Sequence, residues 1–366
     1  MKKLMKVFTT GFLICTVSLG LFAGCTPKKD GNEQTKQEET AKQTVKFTDS
    51  TGREVEIPKE IKKIAPSGPL AQIVLYSINP DKIAGWSQTP SKATQKYMDE
   101  KYINLPEFGQ FYGKNANMNM EAIVKAKPDV IIDIGEKKKG IKEDMDGLQK
   151  QLNIPVIFVE ATLDNMDKAY ETLGNILSED TKALAEYSKN TVNDAKEKSK
   201  TIPSDKKVKL YYGLAENGLN TIGKGSVHGA VIDMVGAENV AVLDEISSKG
   251  TGNEVSMEQV IKWNPDAIIF APDVDINKVT SDKSWSNMKA IKDEKYYVVS
   301  MGPYNWMGSP PSINRLIGIK WLGNLLYPDT YKYDMVKETK EFYKLFYHYD
   351  LKDDEVKALL NKSTFK

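Results

Sequence analysis

The segment MEAIVKAKPDVII at residues 120–132 returns as MEQVIKWNPDAII at residues 257–269. Met, Glu, Lys, Pro, Asp and two Ile recur at the same places, so more is shared than an apolar pattern. Each copy reads as helix, stop and strand. Asn119 and Ser256 stand where a helix N-cap belongs, Glu121 and Glu258 put an acid in the first turn, and Pro128 and Pro265 end the helix. The apolar run after each Pro-Asp is short enough for a buried strand. A supersecondary piece written twice predicts two related halves, each built on an α/β sheet.

Working outward, residues 45–58 alternate apolar and polar positions around Ser50-Thr51-Gly52 and predict a β-hairpin. Strands are expected at 61–65 and 83–86, with a helix at 70–78 between them. Short strands at 154–159 and 296–300 end each half in a similar way. Between the halves, residues 165–199 contain no Pro and a single Gly, with Leu173, Ile176, Leu177, Leu184, Tyr187 and Val192 as an apolar stripe. This predicts one long helix, closed by Ile202-Pro203, acting as a stiff spacer. A strand at 208–214 then opens the second half. The expected organisation is an N-terminal lobe at 47–164, a linking helix at 165–200 and a C-terminal lobe at 201–366.

The first residues belong to no lobe. Lys2, Lys3 and Lys6 precede a largely apolar run that ends in Leu21-Phe22-Ala23-Gly24-Cys25. That pattern reads as an export signal at 1–24. It resembles the bacterial lipoprotein signal, which implies acylation of Cys25 as the membrane anchor. Residues 25–46, rich in Lys, Glu, Gln and Thr, suit a flexible tether. The expected location is the outer face of the cytoplasmic membrane, or the periplasmic side where there are two membranes. The other Cys, Cys15, lies inside the signal, so thiolate chemistry is excluded from the mature chain.

Composition narrows the function. Lys plus Arg (51) and Asp plus Glu (50) nearly cancel over 366 residues, which argues against a nucleic-acid partner. Arg occurs only at Arg53 and Arg315, and His only at His228 and His348. An exported hydrolase would carry a G-x-S-x-G elbow, and Ser226 lacks the Gly two residues before it. No enzymatic activity and no resident cofactor are expected.

The stretch from Phe47 to Pro328 resembles the helical-backbone (class III) ABC-transporter solute-binding proteins, periplasmic binding protein family 2, whose members bind ferric siderophores, haem and cobalamin. The residues that carry the resemblance are FTDSTGREVEIP at 47–58, the twin Met-Glu segments, GAENV at 236–240 and SWSNMKAI at 284–291. It implies two α/β lobes with central sheets flanked by helices, joined by one long helix, with a ligand cleft between them. It also implies a monomer that delivers its cargo to an ABC permease dimer with its ATPase. In the family a Glu on each lobe pairs with permease Arg residues, and Glu121 and Glu258 match that position. The plainer reading is that each acid only favours its helix N-terminus.

Ligand contacts are expected from loops that follow strands. The candidates are Trp86 and Tyr112 in the first half, and Tyr212, His228, Tyr304, Trp306 and Arg315 in the second. Tyr304 and Trp306 stand in GPYNWMGSPP at 302–311, whose Gly and Pro residues suggest displayed rings. The plainer alternative packs Trp306 against its own lobe. Two His residues are too few for a bare Zn²⁺ site of the usual kind, and two Arg are few for a highly charged triscatecholate. An iron(III)-siderophore of hydroxamate type, or a related chelate, is the expected cargo. Cobalamin, haem, a bare nickel or cobalt ion and an oxyanion are the alternatives.

Overall fold

The computed structural model describes residues 43–112 and 116–361. The expected signal at 1–24 and Cys25 lie outside these residues. The hairpin forms as strands β1 (Thr44–Thr48) and β2 (Glu54–Pro58), antiparallel with Val45 opposite Ile57. Residues 44–46, expected as the end of the tether, are therefore already paired. Asp49 organises the turn by accepting from the amides of Thr51 and Arg53 and from the Thr51 hydroxyl. The Arg53 guanidinium lies under the turn. It pairs with Asp49 at 3.0 Å and Asp146 at 2.7 Å and donates to the Val156 carbonyl at 2.9 Å. Of the two arginines, one is thus a structural clamp.

The first sheet is parallel, in the order β3 (Ile64–Pro66), β4 (Val130–Gly135) and β5 (Val156–Glu160). All of β4 is buried, as a central strand covered on both faces requires. The expected strand at 83–86 is reduced to single bridges, Ile64 to Ile83 and Trp86 to Glu107. The second sheet runs β11 (Tyr296–Val298), β10 (Ala267–Phe270), β6 (Lys209–Leu214), β7 (Asn220–Thr221) and β9 (Asn253–Glu254). Strand β8 (Glu238–Asn239) pairs in parallel with β6. The contacts of β10 with β6 and β11 are also parallel.

The repeat holds residue by residue. Its helices are Met120–Ala126 and Met257–Trp263, and the capping side chains are those expected. Asn119 accepts from the Ala122 amide at 3.0 Å and Ser256 from the Gln259 amide at 3.2 Å. Both helices end on a left-handed residue, Lys127 (φ 51°) and Asn264 (φ 44°). Right-handed backbone is disfavoured there because a proline follows. The recurring Asp also has a purpose. Asp129 accepts from the amides of Lys62 and Lys63, and Asp266 from that of Lys209, while each Asp amide returns a bond to a carbonyl of the neighbouring strand entry. Each aspartate therefore fixes where its parallel neighbour starts.

The spacer departs from the single helix expected at 165–200. It is two packed helices, Met166–Leu177 and Lys182–Lys200, broken at Ser178 (φ 56°). No Pro marks the break. Polar side chains make it, because the Thr181 hydroxyl donates back to the Tyr170 carbonyl at 2.7 Å and Asn79 donates to Glu179. Gly174 lets the turn close, since a Cβ there would lie 2.3 Å from the Thr181 hydroxyl oxygen. The second helix alone spans towards the second half.

The end of the chain touches both halves. The helix Met335–Tyr347 packs on the helix Asn314–Leu326 and also on the helix Pro69–Ile78 of the first half. Tyr97 packs on Tyr343 and Tyr349, Lys96 pairs with Glu355, and His348 Nε2 lies 3.2 Å from the Tyr76 carbonyl oxygen. His348 is a helix end held by packing. Among the described residues no helix is long and apolar enough to cross a membrane.

Replacing Arg53 by Ala removes one partner of a buried ion pair and leaves Asp49 in the interior. The expected loss is about 3–5 kcal/mol, measured as a lower urea midpoint.

Candidate functional site

The parallel strands of each sheet end at one edge, and the loops leaving those ends carry the polar groups. In the first half, Ser67 at the end of β3 donates to the Asp133 carboxylate of β4, and both are buried. The loop before the first repeat helix is tied to this pair, since the Phe111 amide donates to the Ser67 carbonyl at 2.8 Å. Tyr112 follows, its ring against Phe111 and its buried hydroxyl directed at the Asp133 carboxylate. Burial, with the Asp133 and Asp144 carboxylates nearby, pushes that hydroxyl up. Burial also raises Asp133, opposed by Ser67 and by Lys138, whose ammonium stands 5.2 Å from the Tyr112 ring centre.

In the second half the centre is Arg315, near the start of the helix Asn314–Leu326 and only 2% exposed. Its guanidinium donates to two backbone carbonyls, Ser312 and Val227, both at 3.3 Å. No carboxylate forms an ion pair with it among the described residues. Burial lowers it to about 10, and the charge that opposes this is Glu136, in the loop after β4. Arg315 is therefore cationic at neutral pH and feels a carboxylate from the other half. Gly308 (φ +110°) makes the approach possible, because a Cβ there would lie 2.9 Å from Arg315 Cδ.

His228 reaches the same glycine, with Nδ1 3.1 Å from the Gly308 carbonyl oxygen. A carbonyl only accepts, so Nδ1 carries a proton in this contact. Around this pair, Ser312 and Asn314 are fully buried, and the Ser312 hydroxyl and the Asn314 amide oxygen have no partners among the described residues. The Asn314 amide nitrogen donates to the carbonyls of Asn305 and Pro310, shaping the loop that the sequence singles out.

Three of the expected rings are not displayed. Trp86 is 1% exposed, and its indole donates to the Tyr102 carbonyl at 2.8 Å. Trp306 is equally buried against Trp321, and Gly318 allows the helix to close on it, since a Cβ there would overlap the Trp306 carbonyl oxygen. Tyr212 is also buried, its hydroxyl accepting from Asn305 at 3.1 Å. The physical reason is shared: large rings next to a sheet edge gain more from burial than from water. Tyr304 is half-buried and packs on Tyr347, and burial raises its hydroxyl to about 12, with Gln72 opposing. The adjoining Pro303 carbonyl accepts from Thr94 of the first half at 3.0 Å. That part of the loop joins the halves.

The structure thus gathers Arg315 and His228 on one side and Ser67, Tyr112, Asp133, Glu136 and Lys138 on the other. Ser312, Asn314, Asp133, Glu136 and Lys138 are absent from the sequence-derived candidates. Asp133 left a signal, an acid inside the otherwise apolar run VIIDIG. A cavity of about 980 Å³ lies elsewhere, along the linking helix between Tyr187, Thr191, Tyr333 and Glu341. It shares no residue with the Arg315 group. No cluster of three or more His, Cys, Asp or Glu suited to a metal occurs among the described residues.

Two sheet-centred halves joined by a helix, with polar loops facing across the strand ends, define a two-lobed solute-binding protein. The chain belongs to the periplasmic binding protein family, whose profile matches residues 70–300. It is 26% identical over 347 residues to the molybdate-binding protein MolA of Haemophilus influenzae, covering 84% of this chain and 92% of that protein. It is 25% identical over 320 residues to YvrC of Bacillus subtilis, an uncharacterized ABC transporter substrate-binding lipoprotein, covering 85% and 95%. An ABC transporter solute-binding protein from Sulfurospirillum deleyianum superimposes with a TM-score of 0.79 at 28% identity, over 86% of this chain and 99% of that one. The chain is the extracytoplasmic substrate-binding component of an ABC importer, working with a permease and an ATPase.

The Asp133 environment gives a pH test. The folded state holds the Asp133 proton to higher pH than the unfolded state, so stability is lost as pH rises from the ordinary carboxyl range through the raised value. Asp133→Asn removes that loss and still accepts from Ser67. Melting temperatures across pH are expected to favour the variant towards neutral pH, with the difference closing in acid.

Proposed function

We propose that the cargo is a compact anionic metal species, a metal oxyanion or a carboxylate chelate, received by Arg315 with His228 beside it. The observation that carries this reading is the Arg315 guanidinium, buried and bonded only to carbonyl oxygens. Glu136 acts on it from the other half without forming an ion pair, so burying this cation costs several kcal/mol of solvation, and an anion in the cleft offsets that cost. The Ser312 hydroxyl, buried and unpartnered among the described residues, is a neutral donor on the residue whose carbonyl Arg315 bonds. The similarity to a protein named for molybdate points the same way. An iron(III)-siderophore of neutral hydroxamate type, the cargo expected from the scarcity of arginine, would leave Arg315 without an anion. Ferric chelates remain within the proposal where they present carboxylates.

The same reading has Cys25 carry the lipid anchor and the exposed Glu121 and Glu258 face the permease. Both assignments rest on the sequence motifs and, for the acids, on their matched exposure.

Equilibrium dialysis against molybdate, ferric citrate, a ferric hydroxamate, haem, cobalamin and Ni²⁺ tests the cargo. Molybdate or ferric citrate is expected to bind. Arg315→Gln is expected to weaken binding about tenfold to a hundredfold, the range of one charge-assisted hydrogen bond. Binding of hydroxamate or cobalamin alone, or binding indifferent to Arg315→Gln, refutes the proposal.

A further inference from the structure

Large apolar side chains that remain exposed are few among the described residues, and two of them occupy the same position of the repeat. Val124 is 51% exposed and Ile261 is 50% exposed. The agreement extends along the helices, since positions 120–128 and 257–265 follow one pattern of burial and exposure, residue for residue. In each copy the acid lies three residues before the aliphatic, and a Lys follows it, so Glu121, Val124 and Lys125 share one face, as do Glu258, Ile261 and Lys262. All six are exposed, and none of the four charged groups forms an ion pair among the described residues.

An isolated exposed Val or Ile needs no explanation. Two at equivalent sites, each one turn from an exposed acid, on helices whose buried faces are already filled by Ile123 and Val260, are a repeated surface. A surface repeated once in each lobe fits a partner that is itself two-fold, and the partner of a substrate-binding protein is its permease.

We infer that Val124 and Ile261 are apolar anchors for the permease dimer, each entering a nonpolar socket beside the basic group that meets Glu121 or Glu258. This rests on the proposal that those two acids face the permease. The division of roles follows from the physics of each group. The acids steer and set register and are weakened by salt, whereas burial of the aliphatic side chains is insensitive to salt and lowers the dissociation rate.

The test uses proteoliposomes holding the permease and ATPase that this protein serves, with the full chain added and its half-saturating concentration read from ATPase stimulation at low and high salt. The double variant Val124→Ser, Ile261→Ser is expected to raise that concentration about tenfold at both salt levels. The pair Glu121→Gln, Glu258→Gln is expected to raise it at low salt and to flatten the salt dependence. Melting temperature and cargo binding of both variants are expected to match the parent chain. Restoring bulk with Val124→Ile, Ile261→Val is expected to keep parental coupling. If the Ser pair couples normally while the Gln pair does not, the anchors are refuted and the acid reading stands. If the Gln pair couples normally and the Ser pair does not, the acid reading fails and these faces still dock. Normal coupling by both pairs removes this surface from the permease contact altogether.

Discussion

Two aspartates hold this architecture in register. Asp129 and Asp266 each follow a proline that ends a helix, and each bonds the entry of the parallel strand beside it. A parallel strand has no hairpin turn to set its start, so the start must be fixed by a contact of this kind. Once it is fixed, the carboxyl ends of β3 and β4, and of β6 and β10, fall at one edge of each sheet. Ser67, Asp133 and the loops around Tyr112 and Arg315 take their places from that alignment.

The inner and outer faces of the molecule then follow different rules. Outside, the helix that precedes each aspartate repeats both its sequence and its exposure. Inside, nothing repeats: one half offers two hydroxyls, two carboxylates and a lysine, and the other offers a guanidinium, an imidazole and two polar atoms unpartnered among the described residues. A symmetric partner requires the first property and an asymmetric small ligand tolerates the second. Arg315 is the most costly group in this arrangement. Its position depends on Gly308, where the backbone takes a conformation that only glycine adopts freely.

Much of the fold was legible because its signals are local. The N-caps at Asn119 and Ser256, the proline stops and the hairpin around Gly52 are each set within a few residues, where side-chain and backbone chemistry decide. The break at Ser178 was not, because it depends on Thr181 and Glu179 reaching Tyr170 and Asn79 rather than on a proline or glycine breaker. The candidate site divided in the same way. Arg315 and His228 were visible as rare residue types, but whether a tryptophan lines a cleft or fills a core depends on neighbours that are distant in sequence. Trp86 is claimed by Tyr102 and Tyr76, and Trp306 by Trp321.

The sequence by itself determined the duplicated helix, stop and strand, the α/β class and the scarcity of arginine and histidine, since periodicity, capping and composition act without tertiary context. Only the tertiary structure decided that Arg53 is a clamp and Arg315 has no ion-pair partner among the described residues. It also decided that the end of the chain touches both halves and that Val124 and Ile261 stand exposed at matching places. Charge pairing and burial depend on which distant residues arrive within a few ångströms, and no local pattern encodes that.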